Sequence, residues 1–256
     1  MAATRPAADA APPGRLYLVP NLLGIVPPDD VLPARTLAIA RRLTHFVVEN
    51  AKPARQFLKA VGTAHPLQQL DLMEIGERPT PQRCAELLRP ARAGSDVGML
   101  SDAGCPGVAD PGALLVAAAH REGITVTPLV GPSAILLALM ASGMNGQGFA
   151  FHGYLPVKPE ARTEAIRRLE AASHKDGTAQ LFIETPYRNP SLIAALVAAC
   201  SPETRLCVAA DLTTAGETVE SREIRAWRGR DAGAYAKRPA MYVLQAQSPR
   251  ASRSPG

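Results

Sequence analysis

Aromatic side chains make up only 4% of the 256 residues, and there is one tryptophan. So thin a supply argues against a surface of stacked rings, the kind that grips single-stranded nucleic acid without sequence preference. Cysteine is scarce as well. Cys84, Cys105, Cys200 and Cys207 show neither C-x-x-C nor Cys/His ligand spacing, so free thiols are expected and a zinc site is not. The five histidines are dispersed, and no metal is expected at them. Long apolar runs are missing too. The opening MAATRPAADAAPPG lacks the apolar segment of a secretory signal, and no later run reaches the ~20 residues of a membrane span. The expectation is a cytoplasmic protein, away from membranes, with a disordered leader over 1–13 and a disordered tail over 248–256.

What is present fits a soluble globular chain: 46% hydrophobic, 20% charged and a net charge of +5. Basic and acidic residues number 13 and 12 up to residue 150, and 15 and 11 beyond it. That mild excess is compatible with an RNA partner and equally with an arginine-rich protein that never meets one.

Apolar runs and helical patterns alternate through the first half. RLYLVP (15–20), HFVVE (45–49), DVGML (96–100) and ITVTPLV (124–130) read as strands, and Pro128 puts the last at an edge or a bulge. Helices are expected over 34–44, from Pro53 to Val61 with Gly62 as the stop, and over 80–94 with Thr80 as cap and Pro81 at the first position. Others follow over 112–122 and from the GPSA segment to Gly143. This alternation predicts a parallel sheet with helices on both faces, in an N-terminal domain over 14–145. The region 146–247 reads as a second, mixed α/β domain: strand FAFHGYLP, an amphipathic helix over about 159–171, strand AQLFIE, a helix over 190–200, then RLCVAA, a hairpin strand around ETVESREI and a closing AMYVLQA.

Two strand-to-helix junctions carry the chemistry. LSDAGCPGVADPG (100–112) puts three glycines, two prolines and two aspartates where a strand gives way to a helix, the place where open α/β sheets bind ligands. Gly104 and Gly107 permit positive φ or close approach of a ligand. Asp110 suits a helix cap, which leaves a ligand contact open; Asp102, upstream of the helix, could cap a turn or pair with a ligand amine or ribose. An acidic loop without a closing Lys-Ser/Thr is no phosphate cradle. In GPSA (131–134), Ser133 could cap the following helix or, with the first loop, line one crevice. In FIETPYRNP (182–190), Glu184 and Arg188 suggest either recognition or a local ion pair.

LSDAGCPGVADPG, GPSA, FHGYLPVK and ETPYR, in this order and spacing, resemble the tetrapyrrole methylase superfamily, the class III S-adenosylmethionine-dependent methyltransferases. Within it the likeness is to the ribosomal RNA small-subunit methyltransferase I family, which methylates a cytidine ribose 2′-hydroxyl. The resemblance runs over roughly 14–246. It implies two α/β domains with the cofactor in the cleft between them, and a homodimer. It also implies S-adenosylmethionine contacts at Ser101, Asp102, Ala103, Val108 and Asp110, at Ser133 and Ala134, at Ile183 and Glu184, at Ala210 and Thr213, and at Ala240 after Pro239. The substrate it implies is ribosomal RNA or the small ribosomal subunit.

The chain departs from the family pattern in places. The Pro-Ile-Gly-Asn turn after the first strand is absent from VPNLLGIVPPDDVLP, which keeps Gly24. The acidic Glu-Asp-Thr-Arg segment is ENAK here, keeping Glu49. His152 stands where a glutamate is usual, and Tyr187 where a histidine is. The cofactor half is retained and the substrate half has drifted, the pattern of a divergent paralogue. A tetrapyrrole or other small-molecule substrate, or a non-catalytic binding protein, are the alternatives. A ribose hydroxyl needs its proton removed or its charge stabilised. His152, Lys158, Tyr187 and Arg188 are the candidates, with His152 the base by its ordinary pKa; its alternative role is packing at a strand end. Arg162, Arg167 and Arg168 on the following helix could guide a phosphate backbone or form a solvated face.

Overall fold

A computed structural model describes residues 12–247. The expected disordered leader and tail therefore lie almost wholly outside the described residues. The chain divides into two compact units, one of residues up to Leu22 plus Pro27–Pro132, the other of Leu23–Val26 plus the chain from Ser133 onward.

In the first unit, β1 (Leu16–Leu18), β2 (His45–Val48), β3 (Asp71–Glu74), β4 (Val97–Leu100) and β5 (Val126–Pro128) form one sheet in the order β3-β2-β4-β1-β5. Every pairing is parallel. Strand residues alternate between two cores, as the pleat requires. Tyr17, Phe46, Val48 and Leu100 meet Leu37, Ala40, Phe57 and Leu58 of helices Ala34–Arg42 and Ala51–Val61. Leu16, Val47, Val97 and Met99 meet Leu87, Leu88, Leu115 and Ala119 on the other face. Helices therefore cover both faces, as expected. Pro128 sits on β5 at the sheet edge, where a missing N–H leaves no ladder bond unmade. Thr80 accepts from the Arg83 N–H (3.1 Å) with Pro81 at the first helical position, and Gly62 ends its helix at φ 75°.

The second unit holds β6 (Phe149–Tyr154), β7 (Ala179–Glu184), β8 (Arg205–Ala210), β9 (Thr218–Glu223) and β10 (Ala240–Gln245), in the order β6-β7-β10-β8-β9. β6 and β7 are parallel and the remaining pairs antiparallel, so the sheet is mixed as expected. Phe182, Tyr242, Leu206 and Val208 pack against Ile166, Leu169, Leu192 and Leu196 of helices Pro159–Asp176 and Asn189–Ala199. On the opposite face, Ala138 and Leu139 of helix Ala134–Ser142 pack on Leu181, Cys207, Ala209 and Val243.

Three expectations change. The boundary falls at Pro132/Ser133 rather than near 145, because helix Ala134–Ser142 packs on the second sheet. The amphipathic helix runs on to Asp176 and stops only at Gly177, φ 69°. The strand Asp71–Glu74 was not anticipated; its DLME carries an acid at each end and lies at the sheet edge, with half-buried Leu72 and Met73. All four cysteines are free thiols, and burial pushes those of Cys200 and Cys207 up to about 12. Among the described residues no helix is long and apolar enough to cross a membrane.

Candidate functional site

The loop after β4 is fastened by residues that follow the neighbouring strands. Asn21, three residues beyond β1, exchanges backbone bonds with Gly104 (N to O 2.8 Å, and 3.2 Å in return). Its side-chain amide donates to the carbonyls of Ser101 (2.9 Å) and Asp102 (3.1 Å). Glu49, just past β2, accepts from the Asp102 N–H (3.0 Å), and Asn50 donates to Asp102 Oδ2 (2.6 Å). Asn50 occupies the cap position of helix Ala51–Val61 yet makes no side-chain capping bond; its amide is spent on the loop.

Within the loop, Asp110 accepts from the Gly107 N–H (2.9 Å) and the Gly112 N–H (2.7 Å), so its carboxylate orders the turn into helix Gly112–Arg121. Gly107 needs its glycine, since φ is 83°. Gly112 needs one for room: a Cβ there would lie 1.5 Å from Met99 Cε. Ser101 is buried with its hydroxyl turned back to the Ala103 carbonyl (3.1 Å). Asp102, Ala103 and Val108 are the exposed rim. Burial, with Asp102 and Asp110 close by, pushes the Glu49 carboxyl above its ordinary value despite the bond from the Asp102 N–H; burial likewise raises Asp110.

In the second unit the residues gather at one end of the sheet. Ala240, which opens β10, stands in register with Glu184 on one side and Ala210 on the other. Ile183 shares that end but not that face, because successive strand residues alternate; it packs with Met241 and Ala209. Glu184 is 4% exposed. Its Oε1 accepts from Arg188 Nε (2.9 Å) and from the Thr185 N–H (2.7 Å), while its Oε2 is buried with no partner. Among the described residues Thr213 Oγ1 is the other buried side-chain atom left unpaired. Its residue is also strained: φ is 71°, an outlier for a β-branched side chain. Asp211 beside it has φ 50° and is held by Arg238. Ser133 precedes helix Ala134–Ser142 without making the capping bond that one reading gave it, which leaves its hydroxyl available.

The four candidates for proton handling differ in freedom. Gln180 donates its amide to Thr178 Oγ1 (2.6 Å), so its Oε1 accepts from His152 Nε2 (2.6 Å). That arrangement leaves His152 Nδ1 as the basic nitrogen. Tyr187 is 79% exposed and Lys158 is exposed at a helix start. Arg188 is engaged by Glu184. Arg162 does not guide a backbone: it is 6% exposed and its guanidinium donates to the carbonyls of Pro156 (3.1 Å) and Val157 (2.8 Å).

Sequence reasoning missed Asn21 and Asn50. An asparagine ahead of a helix is the usual mark of a cap, which hides a long-range bond from view.

Each unit, taken by itself, offers groups that suit S-adenosylmethionine. Asp102 gives a carboxylate at an exposed rim, and Glu184 Oε2 and Thr213 Oγ1 are buried polar atoms awaiting partners, each worth ~1–3 kcal/mol if left unmet.

Residues 26–226 match the model of the Tetrapyrrole (Corrin/Porphyrin) Methylases. The ribosomal RNA small subunit methyltransferase I of Xylella fastidiosa is 35% identical over 207 residues, 81% of this chain and 71% of the relative. The protein of the same name from Pseudomonas aeruginosa is 30% identical over 246 residues, 95% of this chain and 83% of the relative. Among solved structures, the methyltransferase CobJ superposes with a TM-score of 0.60 at 19% identity, covering 91% of this chain and 94% of that one. A uroporphyrin-III C-methyltransferase from Thermus thermophilus, complexed with S-adenyl homocysteine, superposes with a TM-score of 0.54 at 19% identity, covering 91% and 97%. With the two-sheet architecture and the strand-end clusters already in place, these matches show that the chain belongs to the tetrapyrrole methylase family of S-adenosylmethionine-dependent methyltransferases.

Proposed function

We propose that the protein is a cytoplasmic homodimer that methylates a ribose 2′-hydroxyl of small-subunit ribosomal RNA. The relatives' names support the RNA substrate. The single structural observation behind the reading is the pair of buried, unpartnered polar atoms at one sheet end, Glu184 Oε2 and Thr213 Oγ1. A methyl donor with amine, ribose and base donors answers both.

Bound S-adenosylmethionine supplies a methyl group already activated on a sulfonium, so the chain's task is to hold its partners in place. The braced loop presents Asp102, Ala103 and Val108 to the methionine portion, with Ser101 and Asp110 keeping the loop's shape. Ser133, Ala134 and Ile183 contribute half-buried surface against the remainder, and Ala210 and Ala240, both buried, hold the sheet end behind them. Arg188 is a positioning residue that turns Glu184 so that Oε2 is free. His152, fixed by Gln180 with Nδ1 basic, takes the proton of the attacking hydroxyl. Tyr187 and Lys158, both exposed, meet the RNA.

The dimer reading rests on helix Ala134–Ser142, AILLALMAS. Its inner residues Ala138 and Leu139 are buried on the sheet, yet Leu136 and Met140 on the outside are 51% and 78% exposed. An all-round apolar helix is expected to be covered on both sides. A second copy of this chain provides that cover. Met140→Glu is expected to shift the chain from dimer to monomer in sedimentation; an unchanged dimer removes this interface.

The activity test is transfer of labelled methyl from S-adenosylmethionine to small-subunit ribosomal RNA. A 2′-O-methyl leaves the adjoining phosphodiester resistant to alkali, so the label is expected in alkali-stable dinucleotides. Label entering a uroporphyrin-type tetrapyrrole and not RNA would replace this substrate with the small-molecule one.

A further inference from the structure

Helix Ala51–Val61 carries Lys52, Arg55 and Lys59 and no acidic residue. At 100° per residue the three fall within about 60° of one another, opposite the buried Ala54, Phe57, Leu58 and Val61. All three are exposed. Among the described residues none lies within ion-pair distance of a carboxylate. Four arginines of the same unit are paired, Arg41 with Asp29, Arg42 with Asp96, Arg83 with Glu86 and Arg92 with Glu122, and exposed Arg15, Arg35, Arg78, Arg89 and Arg121 are not. What sets this helix apart is that three such cations share one face of it.

An ordinary solvated face does not account for this ridge. Such faces interleave signs so that i,i+4 pairs offset repulsion, and here every charge is positive. Lys52 stands in the first turn, where the helix dipole disfavours a cation. Helix Pro159–Asp176 provides the contrast. Its Arg162, Arg167, Arg168 and Lys175 alternate with Glu160, Glu164, Glu170 and Asp176, and Arg162 is buried. The balanced helix has the look of a solvated surface, and the unbalanced one does not.

Helix Ala51–Val61 begins immediately after Glu49 and Asn50, the two residues that bond Asp102 of the cofactor loop at 3.0 and 2.6 Å. From Lys52 to Lys59 the ridge is ~10 Å long. We propose that Lys52, Arg55 and Lys59 form a track for the phosphate backbone of the RNA substrate, anchored at one end to the methyl-donor loop. The proposal rests on the RNA reading above and names the surface that serves it.

The test compares the full chain with Lys52→Gln/Arg55→Gln/Lys59→Gln and with a control, Arg167→Gln/Arg168→Gln/Lys175→Gln. Binding to purified small-subunit ribosomal RNA is measured across a salt series, alongside S-adenosylmethionine affinity and Tm. Each phosphate contact contributes ~0.7–0.9 to the slope of log K against log salt. The track variant is expected to lose about 2 from that slope and tenfold or more in RNA affinity, with donor affinity and Tm held. The control is expected to lose less than ~0.5 of slope, below the share of a single contact. Equal losses in both variants, or no loss in the track variant, overturn the track while the RNA reading stands. A wild-type chain that binds no RNA overturns both. Loss confined to binding of anionic phospholipid vesicles, with RNA binding intact, assigns the ridge to a membrane surface and overturns it as an RNA track.

Discussion

The two units end their sheets in opposite conditions. In the first, the loop after β4 has its needs met by protein: Asn21, Glu49, Asn50 and Asp110 satisfy its carbonyls, N–H groups and one carboxylate oxygen. In the second, Glu184 Oε2 and Thr213 Oγ1 are buried and unmet; positive φ at non-glycine residues occurs in both, at Ala109 in the first and at Asp211 and Thr213 in the second. A satisfied loop is rigid before ligand arrives. Unsatisfied atoms and strained backbone store free energy that a ligand can recover. The difference predicts that mutations in the first unit cost fold and affinity together, whereas some in the second trade one against the other.

Asn21→Ala is the largest expected effect. The side chain is 4% exposed and its loss strips donors from the Ser101 and Asp102 carbonyls and an acceptor from the Leu22 N–H. Stability should fall by ~2–3 kcal/mol in urea denaturation, with donor affinity down more than tenfold. A stable variant with normal affinity would mean the loop needs no brace.

Thr213→Gly should split the two quantities. Relief of the φ 71° conformation is expected to raise stability by ~1 kcal/mol, while loss of the hydroxyl weakens donor binding ~5–10-fold. If both fall together, Thr213 is part of the packing rather than a waiting contact.

Glu49→Gln is the smallest effect and depends on pH. A carboxyl whose folded-state pKa is raised holds its proton more tightly in the native state than in the unfolded chain. Its charge therefore costs stability as pH climbs from its ordinary 4.5 through the raised value, and costs nothing below 4.5. Glutamine keeps an acceptor for the Asp102 N–H and removes the charge. Tm should rise slightly at pH 7 and stay level at pH 4. A gain at pH 4 equal to that at pH 7 would show that burial of the charge, with repulsion from Asp102 and Asp110, is not the cause.

Much of this architecture was legible from residues alone. Parallel strands buried on both faces show as continuous apolar runs, and Thr80-Pro81, Gly62 and Pro128 announce their roles by local chemistry. DLME at 71–74 escaped notice because an edge strand with an acid at each end lacks that run. At the site, the loop and its glycines were visible, since turn chemistry is local. The braces were not: Asn21 lies 80 residues from Ser101, and Asn50 lies 52 from Asp102. Nor could sequence show that Asp110 is spent within its own turn, or that Arg162 is buried under two carbonyls.

The most direct measurement is calorimetric titration of the full chain with S-adenosylmethionine, run beside Asp102→Ala and Glu184→Gln. The account predicts saturable binding with one donor per chain, weakened by a change in either unit. Absence of saturable binding to folded, ligand-free protein would contradict it, and the braced loop would then be inherited architecture without its ligand.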